Sequence, residues 1–292
     1  MPRRPDRHRP VTALVFAGGG SLGAVQVGML KALVTNGVEA DLAVGASVGA
    51  LNAAYFAGDP TPEGVFKLEQ IWRALRRDRI LPIAPLTGLL GLFAKRNHFI
   101  KPHALARLIR LHLPFRRLEE AQIPCHVVAT DLFTGEEVVL SSGPVLKALL
   151  ASAAIPGVLP PVRIRGHCLI DGGVANHTPL STAVGLGAKR VIVLPTGAPC
   201  TLERMPQGIL EIVLHSLNLF TVQQLLKDAT YYRDQLEIII LPPLCPLSSS
   251  VYDFSVAGEL IDRAANQTCA WLKQHGLSPT GIPPELAPHT HR

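Results

Sequence analysis

Aromatic side chains are scarce in this 292-residue chain, at 5%, and charged ones reach only 17%. Nucleic-acid surfaces interleave cations with stacking rings, and no motif of such a module is present, so nucleic acid is not an expected partner. No stretch holds the roughly 20 uninterrupted apolar residues that a spanning helix needs. The basic opening, residues 1–10, is followed by an apolar run over 11–17 that three glycines break. It reads as a disordered basic tail leading into a first strand, not as a signal peptide. The five cysteines (Cys125, Cys168, Cys200, Cys245, Cys269) include no C-x-x-C pair and cannot all pair with one another. That argues against a disulfide framework and for a reducing compartment, so the expected location is cytoplasmic. Cys125 and Cys168 lie in strand-like apolar runs and read as core residues.

What is abundant is small and aliphatic. Hydrophobic residues make up 48% and the mean hydropathy is +0.27, enough for a sizeable core. Dominance of Leu, Val, Ala and Gly is the composition of layered α/β proteins. No repeat or shift in composition divides the chain, so 11–292 is expected to form one domain.

The net charge of +6 is uneven. Between residues 73 and 117 there are eleven Lys or Arg against the single acid Asp78, a local charge of +10. Inside that segment, 80–94 carries no charge at all. An apolar tip with basic shoulders suits peripheral contact with anionic lipid, and an ordinary covered loop with a solvated basic face is the alternative.

Strand and helix patterns alternate along the chain. Apolar runs at 11–17 and 42–44 read as buried strands, each followed by a glycine turn and a helix, over 24–34 and from 48 to about 57. Asn36-Gly37 stops the first helix. Further helices are expected near 62–76, 102–112, 144–153, 179–186, 208–234 and 255–275, with strands at 123–131, 137–140, 163–170, 190–194 and 236–241. The expected fold is a three-layer α/β/α sandwich around a mostly parallel sheet.

Two glycine turns carry the chemistry. Gly45-Ala46-Ser47-Val48-Gly49 sits between a strand and a helix, where Gly45 and Gly49 leave room for a sharp turn that exposes the Ser47 hydroxyl as a nucleophile elbow. The plainer reading is a helix start capped by Ser47. Gly18-Gly19-Gly20-Ser21-Leu22-Gly23 follows the first strand. If the two strands are neighbours, both turns lie at the carboxyl edge of the sheet, and backbone N–H groups of the glycines can face an oxyanion formed at Ser47. Asp171, at a strand end before Gly172 and Gly173, is the best-placed acid to take the serine proton; a plain turn is the alternative there.

In order and spacing these blocks, with Gly28 and Ala151-Ser152-Ala153-Ala154-Ile155-Pro156, resemble those of patatin-like phospholipases over residues 11–195, with the segments over 205–275 completing the domain. The resemblance implies a lipid acyl hydrolase of phospholipase A, lysophospholipase or carboxylesterase type. Ser47 would be its nucleophile, Asp171 its base, Gly18, Gly19 and Gly20 its oxyanion hole, and Gly23, Gly45, Gly49, Gly172 and Gly173 supporting glycines. Many members carry Arg or Lys just before the glycine that is Gly23 here, where this chain has Leu22.

His126, His177 and His215 read as structural, although His177 lies six residues past Asp171. No two histidines have metal-ligand spacing with a carboxylate, so neither metal nor cofactor is expected. Gly18-x-Gly20-x-x-Gly23 also fits a dinucleotide fingerprint and hence an oxidoreductase, but that reading needs an acid at the carboxyl end of the second strand. Glu39 and Asp41 precede the strand instead. A non-catalytic lipid-binding protein that keeps the fold is the third reading.

Overall fold

Each central strand is apolar on both sides because each feeds two cores. In β1 (Thr12–Phe16), Leu14 and Phe16 belong to one hydrophobic cluster while Ala13 and Val15 belong to another across the sheet. β7 (Arg190–Leu194) repeats the pattern, with Ile192 and Leu194 on one side and Val191 and Val193 on the other. Strict alternation with both faces covered is what a parallel sheet between two helical layers requires. The computed structural model describes residues 10–75, 102–197, 209–245, 247, 253–278 and 281–287.

The remaining strands are β2 (Leu42–Ala46), β3 (Cys125–Asp131), β4 (Glu137–Leu140), β5 (Val162–Ile164), β6 (His167–Asp171) and β8 (Glu237–Ile240). The order β8, β7, β1, β2, β3 is parallel throughout. Antiparallel pairings join β3 to β4, β3 to β6 and β5 to β6. The sheet is therefore mixed, parallel at its centre, and the two glycine turns follow neighbouring strands, β1 and β2.

Register on β3 is what builds the site. Ala46 pairs with Val128, and the next position of β3, Ala129, pairs with Asp171. Because β4 pairs Val127–Thr130 and so overlaps both neighbours, β2 and β6 must share the opposite edge of β3. The end of β2 and the end of β6 therefore abut, which brings Asp171 to the residue that follows Ala46.

The helices are α1 (Gly23–Thr35), α2 (Val48–Gly58), α3 (Pro62–Ala74), α4 (His103–His112), α5 (Val145–Ser152), α6 (Leu180–Gly185), α7 (Ile209–Tyr232) and α8 (Ala257–His275). α1 lies along α8, close enough that a Cβ on Gly28 would sit 2.3 Å from the Ile261 carbonyl oxygen. α3 starts where Thr61 accepts the Gly64 N–H at 3.0 Å and Pro62 takes the first turn, an N-cap followed by a proline that needs no donor.

Two expectations change. The single strand expected over 163–170 is a hairpin, β5 and β6, turning at Arg165 and Gly166 with φ of 50° and 88°. Arg165 occupies a left-handed position where Asn, Asp or Gly is the usual signal, so Gly166 alone marks the turn in the sequence. Among the described cysteines, Cys125, Cys168 and Cys269 are free thiols but Cys245 is disulfide-bonded, where the cysteine pattern argued for a reducing compartment. Cys125 is buried; Cys168 is only partly so. Among the described residues no helix is long and apolar enough to cross a membrane. The tail at 1–9, the uncharged run 80–94 and most of its basic shoulders lie outside the described residues.

Candidate active site

Between β2 and α2 the chain turns on one residue, Ser47, whose backbone stands at φ 56° and ψ −127°. A residue with a Cβ costs on the order of 1–3 kcal/mol there and persists only where its surroundings over-determine it. The surroundings are backbone. A Cβ on Gly49 would fall 2.3 Å from the Phe16 carbonyl oxygen, and one on Gly45 would fall 2.4 Å from that of Gly49. The Ser47 N–H donates to Ser152 Oγ at 2.9 Å, and that hydroxyl donates to the Val128 carbonyl at 2.6 Å. The elbow is thereby pinned to β3 through α5.

Ser47 Oγ donates to Asp171 Oδ2 at 2.6 Å across 124 residues of sequence. The other carboxylate oxygen, Oδ1, accepts the Gly173 N–H at 2.8 Å, which fixes the plane of the acid. Gly172 is required beneath it, since a Cβ there would meet the Val128 carbonyl oxygen at 2.2 Å. Both side chains are buried, Ser47 at 8% and Asp171 at 7% exposure. Burial pushes the Asp171 carboxyl up to about 6, and the bonds from Ser47 and Gly173 only partly oppose it.

The turn after β1 separates its three glycines by role. The Gly18 N–H donates to the His177 carbonyl at 2.9 Å, so its amide is spent and it leaves the expected set of oxyanion donors. Gly19, at φ 150°, has no room for a Cβ, which would lie 2.3 Å from Thr196 Oγ1. Among the described residues the Gly19 and Gly20 amides have no hydrogen-bond acceptor, and Gly20 lines the same cavity as Ser47. Leu22 is buried in the core and is not among the residues that line the cavity.

Behind the turn runs a buried chain of amides that the sequence reading missed. Trp72 Nε1–H donates to Asn52 Oδ1 at 2.9 Å; Asn52 Nδ2 donates to Gln26 Oε1 at 2.8 Å and to the Gly23 carbonyl at 3.0 Å. Gln26 Nε2 donates to the carbonyls of Ala17 and Leu194 at 2.8 and 2.9 Å. The network ties α1, α2 and α3 to the ends of β1 and β7, and every donor in it is used. The one available signal was a lone Gln or Asn inside an otherwise apolar helix.

From Ser47 an apolar cavity of about 900 Å3, counting its open mouth, extends between α2, α3 and α4. Val48, Leu51 and Tyr55 line it from α2, Leu68 and Trp72 from α3, and Ile109 from α4.

The histidines stand apart from this pair. The imidazole of His177 packs under Gly18 and Gly173, and burial holds it down to about 4, so the ring is neutral near pH 7. No hydrogen bond joins that ring to Ser47 or Asp171 among the described contacts. His126 bonds to Ser141 Oγ at 2.7 Å, and the side chain of His215 lies outside the described residues. Asp41 is at the far, amino end of β2, accepting the Thr12 N–H at 2.8 Å, a full strand away from the glycine turn where a ribose would sit.

A three-layer α/β/α architecture with a serine elbow at the carboxyl edge of its parallel strands defines the structural class. A family model described as patatin-like phospholipase matches residues 14–184, more than half of the chain, and the chain belongs to that family. It is 30% identical over 210 residues to human patatin-like phospholipase domain-containing protein 6, covering 67% of this chain and 15% of the relative. It is 33% identical over 197 residues to the Caenorhabditis elegans patatin-like phospholipase domain-containing protein ZK370.4, covering 63% and 13%. The chain thus spans about 15% of the length of such curated relatives. Among solved structures, human GIVD cytosolic phospholipase A2 in complex with methyl gamma-linolenyl fluorophosphonate aligns at 14% identity with a TM-score of 0.47, covering 91% of this chain and 58% of that one.

Proposed function

We propose that the chain is a serine hydrolase that cleaves acyl esters of lipids through Ser47 and Asp171. The observation that carries this reading is the 2.6 Å contact between Ser47 Oγ and an aspartate whose carboxyl is raised to about 6. Such a group is ionised at neutral pH and still basic enough to accept a proton in the transition state. Asp171 takes the hydroxyl proton as Ser47 Oγ attacks the ester carbonyl. The oxyanion faces the Gly19 and Gly20 amides at the start of the helical segment. As the intermediate collapses, the proton on Asp171 passes to the departing alkoxide, leaving the acyl group on Ser47. Asp171 then deprotonates a water that attacks the acyl-enzyme; the fatty acid leaves and Ser47 regains its proton.

The experiment is fluorophosphonate labelling with mass mapping of the modified residue. The expected result is a single adduct on Ser47 that disappears in Ser47→Ala. An unlabelled protein would favour the non-catalytic lipid-binding reading, and an adduct elsewhere would overturn the assignment. A panel of phospholipid, lysophospholipid and simple carboxylic esters then separates the three hydrolase types. For residues 73–117 we propose contact with anionic membranes; sedimentation with acidic but not neutral vesicles is expected, and equal partitioning would refute it.

A further inference from the structure

The two ends of the cavity beside Ser47 can be told apart from its neighbours. Near Ser47, a Cβ on Gly23 would touch both Val48 Cγ2 at 2.7 Å and the Trp72 ring at 2.9 Å, and Trp72 stacks on Phe254 with ring centroids 6.2 Å apart. The carboxyl end of α3 is therefore at the Ser47 end. At the other end, Tyr55 sits within the electrostatic reach of Asp59, in the short link that joins α2 to α3, and of Lys67, whose ammonium lies 3.6 Å from Asp59. Gly58, one turn on, is packed by Phe115 and Pro114, just after α4. α2 and α3 thus run antiparallel along the cavity, and the lining face of α2 (Val48, Leu51, Tyr55) leads away from the nucleophile and finishes at the phenol ring.

We propose that Tyr55 is the stop of an acyl channel and sets this protein's preference for medium-length chains. This rests on the hydrolase reading of Ser47. Eight residues of α-helix separate Ser47 from Tyr55, about 12 Å at 1.5 Å per residue. An extended chain advances about 1.3 Å per carbon, given C–C bonds of about 1.5 Å, so about nine carbons fill the distance. Shorter chains leave apolar wall wet; longer ones meet the ring.

The test needs no turnover. In a Trp271→Phe background, Trp72 is the remaining tryptophan and lines the channel, so its fluorescence reports binding of straight-chain fatty acids from four to sixteen carbons. Affinity is expected to rise about fourfold per methylene while each is buried, then level off near nine carbons. Tyr55→Ala should move the break outward by roughly three carbons, about the reach of the ring removed. Leu51→Phe, half-way along, should pull it inward, which keeps the inference testable should the first variant misfold. A parallel ester series should show the same displaced optimum. A break that neither substitution moves overturns the stop, whatever the esterase result. A break that moves in a protein that hydrolyses no ester sustains the channel and refutes the hydrolase reading instead.

Discussion

The Ser47 corner and the channel that leaves it are built of different material. The corner is backbone: Phe16, Gly45, Gly49, Val128 and Gly172 approach so closely that a methyl group at either of two of the glycines would fall within 2.3 Å of a carbonyl oxygen. Its polar groups are each held by a named partner. The channel is side chains, contributed by three helices and bordered by residues far apart in sequence. A corner of that kind tolerates almost no change, whereas the channel can be re-cut one residue at a time. Under the proposed function, chemistry would thereby be uncoupled from the choice of chain.

Substitutions can break that contrast, and the largest effect belongs to the corner. Ser47→Ala and Asp171→Asn should each lower kcat/KM for a short acyl ester by roughly a thousandfold or more with unchanged circular dichroism. In the unaltered protein kcat/KM should fall about tenfold per pH unit below about 6, since Asp171 must be ionised to act. The sign for stability is opposite. The folded carboxyl lies above its ordinary value of 3.8, so ionising it costs stability as pH rises from about 4 to about 6, and the full cost is present above that. Asp171→Asn should therefore raise the unfolding free energy at pH 8 by up to about 3 kcal/mol, measured by urea denaturation.

Asn52→Leu strikes the buried amide chain and leaves the Trp72 indole N–H and Gln26 Oε1 without partners. The expected loss is about 3 kcal/mol of stability, seen as a melting temperature lower by several degrees. Gly19→Ala, forced against Thr196 Oγ1, should cost roughly a hundredfold in kcat through the displaced amides, with KM little changed. The smallest effect falls to Ser152→Ala. It frees the Ser47 N–H from its tether and should lower kcat about tenfold; rescue by Ser152→Thr, which restores the hydroxyl, separates positioning from packing.

Local features were readable before any coordinates. Gly-x-Ser-x-Gly between a strand and a helix announced the elbow, and Asp171 before two glycines announced the acid, because in both places the constraint is carried by adjacent residues. The parallel strands were equally plain from their unbroken apolar runs. What could not be read depends on distant partners. The Gly18 amide looked like an oxyanion donor until the His177 carbonyl, far along the chain, was found to hold it. Gln26, Asn52 and Trp72 are ordinary residues in ordinary helices, and only packing makes them one network. The hairpin at Arg165-Gly166 hid because an arginine sits where turn chemistry calls for Asn or Gly.

The shared flank of β3 makes the meeting of alcohol and acid a matter of whole steps. Strands slide past one another only by residues, about 3.3 Å at a time, and a slip of one turns each side chain to the opposite face. A change of register therefore removes the 2.6 Å contact altogether instead of lengthening it. Mutations that let β3 slip in register are thus expected to split the population into molecules that keep the contact and molecules that lack it.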